Sequence, residues 1–259
     1  MIKRNRGQIA IWVILGVILV ASILLVFLVR EGPGIIGPNA GEEVFDLQSY
    51  LEQCTRQSVN EVTDIMIMQS GLLNLRNTVV FNNTRVEYLC DHVGYYDPCI
   101  NQHPALLQEM KRDIASYITP KLDECFTNMQ TEFERKQGDV AFDSSPPLVS
   151  VDFGRDKIFI TVEKETTVTK LGESNTFDSF DFEINSPLYN LATIAMEIAD
   201  QEAKYCYFEN VGYGVVYPRY NIEVFRMSDS TKIYTIRDTK SGEVMNIAIR
   251  GCAIPHGLP

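Results

Sequence analysis

The chain has 259 residues, 45% hydrophobic and 22% charged, which excludes a disordered chain and allows one large domain or two small ones. Its formal charge is −11, and beyond Arg6 34 acidic residues stand against 20 basic ones. Such an acidic balance excludes nucleic acid as a partner, because it repels a phosphate backbone, and it disfavours an anionic lipid surface.

From the N-terminus, Lys3, Arg4 and Arg6 precede a run of 21 uncharged residues, Ile9 to Val29. As a helix this run spans about 31 Å, which matches a hydrocarbon core of about 30 Å. A cleavable secretory signal has a shorter apolar stretch followed by small residues, whereas Arg30-Glu31-Gly32-Pro33 follows here. A buried core helix would show a polar face every third or fourth position, and only Gly16 and Ser22 interrupt this run. The expected partner of Ile9 to Val29 is therefore the lipid bilayer. The three bases place the N-terminus in the cytoplasm and the body outside, as a single-pass protein of the cell membrane.

The order Arg6-Gly7-Gln8-Ile9-Ala10-Ile11 puts a base, a glycine and a glutamine directly before the apolar helix. It resembles the class III signal of archaeal type IV pilin-like proteins. The resemblance covers residues 3–29 and implies processing between Gly7 and Gln8, with the apolar helix retained. That family usually carries Glu at the fifth mature position, where this chain has Trp12. The segment is also similar to the N-terminus of uncharacterised archaeal membrane-anchored proteins with an extracellular α+β domain and a few cysteines.

Residues 1–30 thus read as a cytoplasmic stub and transmembrane anchor. Residues 31–43, with four glycines and two prolines, read as a tether. A mainly helical region is expected over 44–145. Leu47, Leu51, Cys54, Ser58, Val62, Ile65 and Met68 share one face of a helix that ends at Gly71. Thr78 to Phe81 reads as a short strand before an Asn82-Asn83 turn. His103-Pro104 opens a second helix along Leu106, Met110, Ile114 and Ile118, and Thr119-Pro120 either kinks it or caps a new helix carrying Cys125.

The period changes at Pro146. An antiparallel β-sheet region with one helix is expected over 146–259, with strands around Val151, Ile160 and Phe182. Ser186-Pro187 starts a helix that runs to about Tyr205, and strands follow at about 220–226, 232–237 and 244–250. The fold class is α+β: an N-terminal transmembrane helix, a helical region, then antiparallel β-meanders flanking a helix.

Six cysteines in an extracytoplasmic body favour disulfides, and six allow 15 connectivities. Cys54 and Cys125 face inward from helices expected to pack together, so they pair. Cys206 ends a helix and Cys252 ends the last strand, so they pair as well, leaving Cys90 with Cys99. The alternative is zinc held by Cys90, His92, Cys99 and His103, two thiols and two imidazoles within 14 residues, although the spacing matches no standard finger.

No catalytic motif is present: there is no G-x-S-x-G, H-E-x-x-H or phosphate-binding glycine loop, and no cofactor is implied. Gly212-Tyr213-Gly214 reads as a loop, Asp152-Phe153-Gly154 as a chance triplet and His256 as a solvated terminal residue. Asp178, Asp181 and Glu183 read either as a calcium cluster or as a solvated acidic face. Asn82 begins the only N-x-[ST] sequon and is the glycosylation candidate. Tyr205, Tyr207, Phe208, Tyr213, Tyr217 and Tyr220 crowd the loop 205–220, either to meet a protein or glycan partner or to close over the core. The expected function is a non-enzymatic binding or structural protein of the cell surface. The alternatives are a pilin-like filament subunit and a metal-dependent extracellular enzyme.

Overall fold

The computed structural model describes residue 20 and residues 46–94, 96–136, 138–170 and 172–252. Apart from Val20, the expected anchor, the tether, the Gly7-Gln8 dipeptide and His256 lie outside the described residues. No helix among the described residues is long and apolar enough to cross a membrane. The chain divides at residue 44, and the described residues from Asp46 onward form one compact unit.

Asp46 opens helix α1 (Leu47–Met68), its carboxylate accepting from the Gln48 N–H at 3.1 Å and the Ser49 hydroxyl at 2.6 Å. Of the expected face Leu51, Ser58 and Val62 are buried, but Met68 is exposed, and the buried stripe runs on through Val59, Met66 and Ile67 instead. At its end Gly71 takes φ +89° and donates to the Met66 carbonyl, a left-handed stop that glycine adopts without strain. Strands β1 (Thr78–Phe81) and β2 (Thr84–His92) form a hairpin whose two-residue turn puts both Asn82 and Asn83 at positive φ. That is the turn a right-twisted hairpin prefers, and asparagine tolerates it.

After β3 (Cys99–Asn101) comes α2 (Leu106–Lys136), one helix of 31 residues with Pro120 inside it. The expected alternative of a fresh helix capped at Thr119 is not what forms. Thr119 sits within the helix, its hydroxyl donating to the Ala115 carbonyl at 2.7 Å. The inward stripe of Ile114, Ile118, Leu122 and Phe126 carries across the proline, and its burial offsets the lost hydrogen bond.

Strands β4 (Asp139–Phe142), β5 (Leu148–Gly154), β6 (Lys157–Lys170) and β7 (Glu173–Asn185) form an antiparallel sheet in which β6 takes β7 along one edge and β5 then β4 along the other. Helices α3 (Leu188–Tyr205) and α4 (Asn210–Val216) follow. Strands β8 (Tyr220–Arg226), β9 (Thr231–Asp238) and β10 (Val244–Arg250) close the chain as an antiparallel meander.

Two features depart from the sequence expectation. Strand β10 pairs in parallel with β2, so the first sheet runs β1-β2-β10-β9-β8, with β3 also on β2, and is mixed rather than antiparallel. The change of period near residue 146 therefore separates no bodies: four strands lie before it, and β2 completes the sheet of the C-terminal meander. Helix α1 packs on both β10 and β7, α2 on β4 and β5, and α3 on β2, β3, β9 and β10. The helices form a layer between two sheets over one shared core, to which Phe126, Phe180, Leu191, Ile236 and Met245 all belong.

Candidate functional site

The cysteines are joined as Cys54–Cys125, Cys90–Cys99 and Cys206–Cys252, the pairs expected from placement. The bridge between Cys90 and Cys99 overturns the zinc alternative, because neither sulfur remains as a thiolate ligand. The two imidazoles also serve elsewhere. His103 is buried, with Nδ1 2.8 Å from Glu109 Oε2 and Nε2 3.4 Å from Glu87 Oε1, while the His92 ring lies 3.2 Å from Asp91. Glu87 in turn accepts the backbone N–H groups of Arg76 and Asn77, so this acid ties the approach to β1 onto β2. No group of three or more His, Cys, Asp or Glu side chains suited to a metal occurs among the described residues.

The other candidates resolve into structure. Asp178, Asp181 and Glu183 sit exposed on β7, where Asp181 accepts from the Thr161 hydroxyl and Glu183 pairs with Lys157 on the neighbouring strand. Gly212-Tyr213-Gly214 lies inside α4, and Asp152 pairs with Lys111 at 2.7 Å. Asn82 is exposed at the tip of the β1–β2 turn, a position open to a glycan.

The aromatic loop divides in two. Phe208 closes the core, edge-on to Tyr234 at 6.0 Å between ring centroids. Tyr207 stays at the surface on Glu209, and Tyr205, Tyr213, Tyr217 and Tyr220 wall a trough along α3. Glu209 caps α4 by accepting from the Val211 and Gly212 N–H groups at 3.2 Å, and the short helix then presents Tyr213 and, just past its end, Tyr217. These two rings lie 4.7 Å apart, and Tyr213 also packs at 5.4 Å on Phe208. The opposite wall is α3, whose inner residues Leu188, Leu191, Ala195 and Ile198 are buried. Its outer row, Tyr189, Thr193, Glu197, Gln201 and Lys204, recurs every three or four residues on one helical face.

Two adjoining clefts make up this trough. One, of about 590 Å³, lies between Tyr189, Thr193, Glu197, Tyr213, Tyr217 and Tyr220. The other, of about 490 Å³, continues past the same Tyr189, Thr193 and Glu197 to Asp200, Lys204 and Tyr205. Both volumes fall in the range of small-molecule sites. The Tyr213 phenol is pushed above the usual range, first by burial and then by the Glu197 charge. Arg155 stands exposed at the rim and makes no hydrogen bond or ion pair among the described residues.

No known protein family, curated protein or solved structure matches this chain.

Beneath one end of the trough lies a charge latch. Asp156, at φ +61° in the β5–β6 turn, accepts from Arg219 Nη1 at 2.9 Å, Lys240 Nζ at 2.8 Å and Asn190 Nδ2 at 2.5 Å. Arg219 Nε also donates to Asp238 Oδ1 at 2.8 Å, and its guanidinium lies over the Tyr220 ring at 5.3 Å. The Arg219 hydrogen bonds hold the Asp156 carboxyl far below the usual range. Burial pushes Asp238 up, yet Arg219 and the Lys240 N–H outweigh it and leave that carboxyl lowered too. Every charge here is answered by another in the cluster, so the cluster is a fastening between the two sheets rather than an anion site.

Sequence reasoning located the tyrosines but missed Arg155, Tyr189, Thr193 and Glu197. The row on α3 carries a helical period, yet any polar helix face carries one, and Arg155 gains meaning only beside Tyr220.

Proposed function

We propose that this chain is a membrane-anchored protein whose body lies outside the cell and acts there as a binding or structural protein. The observation that carries the reading is that all six cysteines are spent in three bridges, a state kept in oxidising surroundings. The uncharged run at residues 9–29 behind three bases supplies the means of attachment and its orientation. The bridges and the fastened sheets make a rigid support for the tyrosine-walled trough, the surface on which we place the partner. The bridge between Cys90 and Cys99 takes two of the four ligands from the metal-dependent enzyme, which makes it the less favoured reading.

The test is fractionation of cells carrying the full-length chain, with and without reductant. The chain is expected in the membrane fraction after an alkaline wash, degraded by protease added to whole cells, and unlabelled by a thiol reagent until reduced. A soluble chain, or six reactive thiols before reduction, would overturn the reading. A filament subunit is the second reading, favoured by Gly7-Gln8 and opposed by Trp12. A mature N-terminus at Gln8 together with surface filaments supports it, whereas an intact N-terminus and no filaments removes it.

A further inference from the structure

We infer that the trough along α3 binds a neutral oligosaccharide in extended form, an assignment that rests on the surface-binding role proposed above. The apolar lining of the trough joins the phenol rings of Tyr189, Tyr205, Tyr213 and Tyr217 to a few aliphatic groups, among them Leu107 and Met196, and the trough is open rather than an enclosed pocket. Tyr205 and Tyr217 are 61% and 50% exposed, so each offers ring surface to a ligand beside the side of Tyr205 that Lys204 covers and the side of Tyr217 that Tyr213 covers. A sugar ring offers one face of C–H groups, which packs on such a ring, and a rim of hydroxyls, which need hydrogen bonds. Thr193, Glu197, Asp200 and Gln201 set hydroxyl, carboxylate and amide groups along the same line. Glu197 is the central group: both clefts share it, and the Gln201 side-chain amide donates to its Oε1 at 3.2 Å, which orients the carboxylate and leaves it lone pairs to accept from sugar hydroxyls.

Length and charge narrow the ligand further. The row from Tyr189 to Lys204 covers about 22 Å of helix, enough for several linked sugar rings. The exposed acids Glu197 and Asp200 are matched by Arg155 and Lys204 in the same trough, a balance that suits an uncharged chain. Arg155, whose guanidinium makes no hydrogen bond or ion pair among the described residues, donates to hydroxyl or ring oxygens at one end, and Lys204, 4.8 Å over the Tyr205 ring, does so at the other. An extended peptide would instead seek unpaired strand edges or enclosed side-chain pockets, and the trough has helices for its walls.

The test uses the full-length chain in phosphatidylcholine nanodiscs, free of sugar-headed detergents. It is run by affinity electrophoresis against soluble β-glucan, α-mannan and galactan, with dextran sulfate as the polyanion arm. Retardation by at least one neutral polysaccharide is expected, weakened tenfold or more in the double variant Tyr205→Ala/Tyr217→Ala and likewise in Glu197→Gln. Phe225→Ala, on the outer face of the first sheet, is expected to bind as the parent does. Unchanged thermal unfolding of the Glu197→Gln protein keeps loss of fold out of the comparison. Retardation by dextran sulfate alone, by none of the polysaccharides, or equally in parent and trough variants overturns the assignment. A chain that stays at the cell surface while failing this test leaves the surface role standing and removes only the saccharide.

Discussion

Replacing Cys54 and Cys125 together by alanine lowers the stability of the body by about 4 kcal/mol, the largest loss expected from any of the three bridges. The bridge joins positions 71 apart, so cutting it frees the longest loop in the denatured chain, and chain entropy puts that release at about 4.4 kcal/mol. The Cys206–Cys252 bridge, at a separation of 46, is worth about 4 kcal/mol on the same basis. The Cys90–Cys99 bridge, at a separation of only 9, is worth about 2.7 kcal/mol. Urea unfolding of the three paired-alanine variants measures the order directly. A Cys54/Cys125 variant no weaker than the Cys90/Cys99 variant would mean that α1 and α2 are already held together in the denatured chain. Position gives the bridge a second effect. Cys125 is buried beside Phe126, so the crosslink also keeps the two long helices packed against each other in the native state.

Arg219→Ala is expected to cost about 3–5 kcal/mol, because it strands a carboxylate that the fold has already taken out of water. Asp238 is 0% exposed and relies on this guanidinium, whereas Asp156 keeps Lys240 and Asn190 after the change. A double variant, Arg219→Met with Asp238→Leu, is expected to recover most of the loss, since no charge is then buried unpaired. Failure of that recovery would assign the loss to the packing of the Arg219 stem over Tyr220 instead. The pH dependence follows from the same carboxyls. Asp156, Asp238 and Asp91 are all held below the ordinary range. Each therefore adds stability that is fully present above the unfolded value of about 4 and is lost as the pH falls further. Urea midpoints taken from pH 7 down to pH 2 should fall steeply below about pH 4 in the parent, and less steeply in Arg219→Ala. Equal slopes in the two proteins would remove Arg219 as the cause.

The elements legible from the chain alone are those whose burial repeats along it. Helices α1, α2 and α3 show their inner faces as apolar stripes, and β5, β8, β9 and β10 show theirs as alternation or as runs between turns. Strand β2 does not, because residues 86–90 are buried without a break and Glu87, an acid, is among them. Its fit depends on His103 and on the backbone at Arg76 and Asn77, none of which periodicity reveals. The outer half of the β6–β7 hairpin was hidden for the opposite reason. Residues 173–179 are all exposed, so no apolar face marks them as a strand. Helix α4 has no buried residue and passed for a loop.

Local order, then, was written in the chain: helix faces, the Asn82-Asn83 hairpin turn, and cysteines placed on inward stripes, each set by residues a few positions apart. Packing alone decided that β10 runs beside β2, that Arg219 reaches Asp156 across 63 positions, and that α3, α4 and the β5–β6 turn enclose one trough. Contacts of that reach leave no period in the sequence. They form only because two sheets and three helices must bury their apolar faces against one another, and the side chains that meet at the edges are brought together by that burial.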